Sequence, residues 1–154
     1  MNTFKITLPF EPVPTARARA GKYGFYDKQA PLKRILGLLI KAEVHKHKGW
    51  KPYSGPLAAG FLFSIPRPKA HYRAGKCSHQ IRDAAMFSYP TKADFDNYTK
   101  FICDAMNGVV YRDDRQIIKA VVLKQFARVG SIEVVIGPWV VKPMTLDELT
   151  ANLF

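Results

Sequence analysis

The chain has 154 residues, with 24 Lys+Arg against 12 Asp+Glu and a formal net charge of +12. That length and an apolar fraction of 47% describe one globular domain, residues 1–154, able to bury its own core, and exclude a disordered polymer. The charge calls for a polyanionic partner. An acidic membrane surface is the other candidate, but no apolar run approaches the about 20 residues of a spanning helix, and no lipidation motif or basic amphipathic helix offers an anchor.

In chain order, 4–10 alternates apolar and polar side chains around Ile6 and Leu8 and predicts a first strand. Pro12, Pro14, Arg17 and Arg19 form a rigid basic exit from it, where arginines suit bidentate contact with phosphate. GFYD at 24–27 predicts a short second strand. From Leu32 to about His47, the spacing of Leu32, Ile35, Leu36, Leu39, Ile40 and Val44 predicts a helix with a broad apolar face. The HKHK at 45–48 reads as a charged helix end, because His45 and His47 point in different directions. Residues 51–56 form a turn-rich connector. Leu57, Ala59, Phe61, Phe63 and Ile65 then alternate onto one face of a central strand. The stretch 66–93 is long and irregular. It carries Arg67, Lys69, Arg73 and Lys76 among scattered aromatics, a composition that suits phosphate contact and base stacking.

The window 94–116 stands apart. Five of the twelve acids, Asp94, Asp96, Asp104, Asp113 and Asp114, fall inside it. Carboxylates so crowded repel one another unless a cation lies between them, and oxygen-only ligands suit a hard cation such as Mg2+. Tyr98, Phe101, Ile102 and Ala105 recur at i, i+3, i+4, i+7 and predict a helix over 97–106, with Asp94 or Asp96 capping its start and Asn107-Gly108 ending it. Asp96, Lys100 and Asp104 then lie on the polar face. Each acid also has an ordinary reading: a cap, a solvated turn, or an i, i+4 pair between Asp96 and Lys100. Their joint occurrence favours a site. Beyond the window, 117–127 and 131–136 predict two strands paired as a hairpin through 128–130. Lys124 lies within the first of them, as a site neighbour or an edge lysine. Thr145-Leu146-Asp147-Glu148 is a capping-box sequence. It opens a short helix in the tail 138–154, whose Leu146, Leu149 and Leu153 need an apolar surface.

No Walker loop, GxGxxG or GxSxG occurs, so no nucleotide cofactor is expected. Cys77 and Cys103 have no metal-ligand spacing, and the start of the chain lacks a signal peptide. Both point to the cytoplasm. Element order predicts an α/β domain of the α+β type, with a mixed β-sheet and helices packed on it.

The runs Asp94-Phe95-Asp96-Asn97-Tyr98-Thr99-Lys100, Asp104-Ala105-Met106-Asn107-Gly108 and Asp113-Asp114-Arg115-Gln116-Ile117 resemble the RusA family of Holliday junction resolvases, often prophage-encoded. The opening ITLPFEPVPTARAR resembles the family's first strand and exit. The resemblance covers most of residues 3–137; the tail lies outside it, and 66–93 matches poorly. It implies Mg2+ (Mn2+ as a substitute) on Asp94, Asp96 and Asp114, and a catalytic role for Lys100. The expected function is cleavage of four-way junctions by paired symmetric nicks that leave 5′-phosphates. Asn97, Asp104 and Asp113 would support the site, and Arg17, Arg19, Arg67, Lys69, Arg73 and Lys76 would contact DNA. A homodimer is expected because a junction has two equivalent strands to cut. Two alternatives stand beside this: a non-catalytic basic nucleic-acid-binding accessory protein, and a nuclease for other branched DNA or RNA. The carboxylate cluster argues against the pure binder, which gains nothing from repelling phosphate.

Overall fold

The computed structural model describes residues 3–16, 19–21, 24–143 and 145–151, with 19–21, 24–26 and Leu149 described through their backbone alone. Strand β1 is Phe4–Leu8, and its strict alternation of buried and exposed residues puts Phe4, Ile6 and Leu8 into the core. β2 (Arg19–Gly21) and β3 (Gly24–Tyr26) form a separate antiparallel ribbon. The sequence had placed residue 19 in an irregular exit. α1 (Ala30–His45) buries Leu36, Ile40 and Val44. β4 (Leu57–Pro66) is followed by α2 (Phe95–Met106), β5 (Ile117–Ala127), β6 (Ser131–Pro138) and α3 (Leu146–Ala151).

The four long strands form one mixed sheet in the order β1-β6-β4-β5. β4 pairs with β5 in parallel and with β6 antiparallel, so β4 is central, as its continuous apolar alternation predicts. A parallel pair needs a crossover, and α2 supplies it. The expected hairpin between β5 and β6 does not form, because β4 lies between them. Residues 128–130 instead cross the end of β4. Gly130 makes this route possible: a Cβ there would lie 2.9 Å from the Glu11 Cα. Periodicity identifies a strand but says nothing about its neighbour, so a short link was misread as a tight turn.

α1 and α2 cover one face of the sheet. Between them, Lys33 of α1 donates to Asp104 of α2 at 2.9 Å and also pairs with Asp27 at 3.2 Å. The latter carboxylate is held below its ordinary range, first by the Gln29 amide and then by Lys33. Partial burial opposes the Lys33 charge, but its bonds to Asp104 and Asp27 outweigh that and raise its pKa. The capping box at Thr145 forms as predicted, Thr145 N–H donating to Glu148 at 2.8 Å. Leu146 nevertheless stays exposed, so the tail helix is not docked through it on its own chain. Leu153 lies outside the described residues. No helix among them is long and apolar enough to cross a membrane.

The double bridge at Lys33 predicts a measurable tie between the helices. Lys33→Ala should cost about 1 kcal/mol in urea unfolding, and Asp104→Asn added to it should cost little more, because the two act through one contact. The raised pKa of Lys33 gives stability that is full below the ordinary lysine range and is lost as pH rises through the folded value. The lowered pKa of Asp27 gives stability that is full above the ordinary carboxylate range and is lost as pH falls. The penalty of Lys33→Ala should therefore be largest near neutrality. Additive losses in the double variant would show that the two side chains do not act as a pair.

Candidate active site

α2 is amphipathic: Tyr98, Phe101, Ile102, Cys103 and Met106 are buried against the sheet. Full burial of one such large side chain contributes about 1.5–3 kcal/mol, so this stripe fixes the rotation of the helix. The polar side then leans over edge strand β5. There Asp96, Thr99 and Lys100 face Asp114 across a hollow of about 340 Å³. Phe61 of β4 and Ile117, Ala120 and Val122 of β5 line its apolar remainder. Asp114 arrives on a short 3-10 turn, Asp114–Gln116, immediately before β5.

That turn is built by its neighbours. Asp113 accepts from the Arg115 backbone and is doubly bonded by the Arg115 guanidinium at 2.9 and 3.0 Å, while Gln116 reaches back to the Asp113 amide. The Arg115 bonds hold the Asp113 carboxyl down at about 2. Gln116 also donates to the carbonyls of Tyr53 and Gly55, anchoring the turn to the connector before β4. Gly108 takes a positive φ of 72° where α2 ends, a conformation that favours glycine.

The predicted site residues therefore divide. Asp96, Lys100 and Asp114 share one hollow. Asp94 occupies the N-cap position just outside it, and its carboxylate makes no capping bond, contrary to the expected role as a cap. Asp104 belongs to the α1–α2 tie and Asp113 to the turn. Asn97 accepts from the Thr15 amide through its backbone at 2.9 Å, joining α2 to the segment after β1. The Asp96–Lys100 pair, the ordinary alternative to a site, is not among the ion pairs of the described residues, and neither are pairs of Asp94, Asp96 or Asp114. Cys103, on the floor of the hollow, has its thiol pushed up to about 11, chiefly by burial.

Among the described residues no three His, Cys, Asp or Glu side chains gather closely enough to form a metal cage. The donor set still suits a hard cation: two carboxylates on one hollow leave positions for waters and for a phosphate, which is how Mg2+ is ordinarily bound. Lys124 was the residue whose role the sequence left open. Its ammonium donates to the Ala93 carbonyl at 2.7 Å, one residue before Asp94, and so ties the start of α2 to β5.

The basic loop is more ordered than its composition suggested. Three 3-10 turns, Lys69–His71, Gly75–Cys77 and Asp83–Ala85, punctuate it, and a bridge joins Tyr72 to Ile81. Arg67 is committed to this fold: it donates to the Ala85 carbonyl at 2.6 Å and to Ser88 at 3.1 Å. Arg73 pairs with Asp83. Lys69 and Lys76 are exposed and make no ion pair among the described residues. Arg19 lies on β2, and Arg17 lies outside the described residues.

The profile of the family described as Endodeoxyribonuclease RusA matches residues 9–137. At 28% identity over 142 residues, the chain is also similar to Uncharacterized protein YqaN of Bacillus subtilis (strain 168), covering 88% of this chain and 96% of that protein. With the family profile spanning most of its length, the chain belongs to the RusA endodeoxyribonuclease family, a nuclease family whose membership implies resolution of Holliday junctions.

The Lys124 bond generates a test of how the site is positioned. In Lys124→Ala the amides of Tyr98, Thr99 and Lys100, the first to bond within α2, should exchange hydrogen faster than in the parent, while those of β4 stay protected. Unchanged exchange at 98–100 would mean that the buried stripe of α2 alone holds the helix start.

Proposed function

We propose that this RusA-family chain is a divalent-cation-dependent nuclease that nicks two symmetry-related strands of a four-way DNA junction. The observation that supports it is the hollow between α2 and β5, where Asp96, Asp114 and Lys100 meet in a protein of net charge +12. Asp96 and Asp114 would hold Mg2+, with Asp94 at the rim as a third oxygen donor. The bound ion supplies Lewis-acid polarisation of a phosphoryl oxygen and acidifies a coordinated water.

The chain's own residues do the rest. Water adds to phosphorus, and the bond to the 3′ oxygen breaks, leaving a 5′-phosphate and a 3′-hydroxyl. Lys100, one turn beyond Asp96, places its ammonium where negative charge grows on the phosphoryl oxygens. The apolar wall of Phe61, Ile117 and Val122 keeps water from one side of the hollow and would strengthen that interaction there. Lys69 and Lys76 contact the DNA backbone and release its counterions.

Two copies would be needed to cut two strands. Leu32, Ile35 and Leu38 stand on the outer side of α1 and are 37%, 50% and 61% exposed. They form an apolar stripe left over once Leu36, Ile40 and Val44 have been buried, and a second copy would cover it.

Asp96→Asn and Asp114→Asn should bind a synthetic four-way junction and fail to cut it in Mg2+. Lys100→Ala should cut roughly 10²–10³-fold more slowly. Turnover near that of the parent in either Asn variant would remove that residue from the ligand set. Ile35→Glu with Leu38→Glu should halve the mass seen by light scattering and lose paired nicking. A parent protein of monomer mass that still nicks both strands symmetrically would overturn the dimer.

A further inference from the structure

The chemistry proposed above leaves a second cavity unused. It measures about 630 Å³, within the range of ligand sites, and shares no lining residue with the catalytic hollow. It opens at the carboxyl ends of the two parallel strands, where Ile65 and Pro66 close β4 and Phe126 nears the end of β5. Crevices at that end of parallel strands are where open α/β sheets bind ligands. Two of its lining residues bracket Asp94 and Asp96 in sequence: Lys92 is two residues before Asp94, and Tyr98 is two residues after Asp96.

The walls are rigid before any ligand arrives. Five of the lining residues are prolines, each with φ already fixed. Behind them Arg67 lies 5.0 Å from the centre of the Phe126 ring, His71 meets the same ring edge-on at 5.3 Å, and the Ser88 hydroxyl is 3.2 Å from the His71 Nδ1. A preformed cavity avoids the ordering cost of binding. Its chemistry is mixed in a particular way. Tyr89 presents a ring that is 73% exposed, Lys92 supplies a cation, and the Glu11 carboxylate, whose field helps raise the Tyr98 pKa behind the effect of burial, accepts N–H donors and repels phosphate beside it.

A flat ring with N–H edges and a phosphate at one end matches those walls. We propose that this cavity takes one unstacked nucleotide of the DNA strand that is to be cut, with its base against Tyr89 and its phosphate at Lys92. This rests on the nuclease reading and adds to it a subsite for the distorted strand. Unstacking is least costly where strands exchange, so such a pocket would favour branch points over continuous duplex.

The test uses the full chain labelled with 15N, titrated with a 5′-phosphorylated single-stranded tetranucleotide and, separately, with inorganic phosphate. The tetranucleotide should shift the amides of Val13, His71, Tyr89 and Lys92 saturably, and phosphate should not. Tyr89→Ala should weaken that binding about tenfold or more, and Tyr89→Phe should retain it. Because Tyr89 is largely exposed, its loss leaves the fold intact, which the same spectra verify. Absent shifts, or equal shifts from phosphate, would overturn the pocket. If the pocket stays silent while junctions are cut in Mg2+, the inference fails and the nuclease reading stands. If the tetranucleotide fills the pocket but no DNA is cut, the reverse holds.

Discussion

The rotation of α2 is the constraint on which the site depends. Its apolar stripe can be buried in only one orientation, with Phe101, Ile102 and Met106 fully enclosed against the sheet. At about 100° per residue, this phase leaves Asp96, Thr99, Lys100 and Cys103 along one line directed at β5. The hollow they form exists because β5 is an edge strand. A further strand beyond β5 would bring helices or side chains of its own over the same groove. The parallel β4–β5 pairing adds the last element, since the crossover must return to the start of β5 and so delivers Asp114 beneath the same helix.

The charges then sort by what the fold does with them. Asp104, Asp113, Asp27 and Asp83 are each bonded to a cation of their own chain. Lys33, Arg67 and Lys124 are likewise engaged inside the fold, with two carboxylates, two loop groups and a carbonyl respectively. The acids outside the ion pairs of the described residues include Asp94, Asp96 and Asp114, and of these Asp96 and Asp114 share the hollow. An exposed ion pair contributes little to stability, so internal pairing of Asp104 or Asp113 is a statement about geometry more than about energy. It separates carboxylates that hold the structure from carboxylates that face solvent beside a lysine.

Much of this was legible in the sequence. Period-two and period-3.6 patterns identified β1, α1, β4 and α2, because each buries one face on a single core. The clustered acids marked the window, and of the four residues that the family's spacing carried over, Asp96, Lys100 and Asp114 share the hollow while Asp94 stands outside it. Other features were not legible. Whether Asp104 turns toward β5 or toward α1 depends on Lys33, 71 residues away in sequence. Whether 128–130 forms a hairpin depends on which strand lies between its ends, a long-range fact with no local signature. The loop 66–93 looked irregular because its order comes from Arg67 reaching two loop groups, not from any repeating pattern. Lys124 carried no signal beyond its place on a strand.

A basic protein that gathers acids in one hollow faces an electrostatic conflict when a nucleic acid approaches. The surplus cations draw a nucleic acid in over distances of about a Debye length, roughly 8–10 Å. At contact, the carboxylates repel the phosphate they must approach. In the proposed mechanism a cation between them would resolve this, and it would also make cleavage conditional on the ion, because without it the phosphate would be pushed away from Asp96 and Asp114. Lys100 cannot serve alone, since one ammonium faces two carboxylates. On that reading binding and cutting would fall to different charges: Lys69, Lys76 and their neighbours would set how strongly DNA is held, while the hollow would decide whether it is cut. Removing a carboxylate would then lower repulsion as it removes chemistry, which would separate such a site from a purely structural acidic cluster, where neutralisation would leave both properties unchanged.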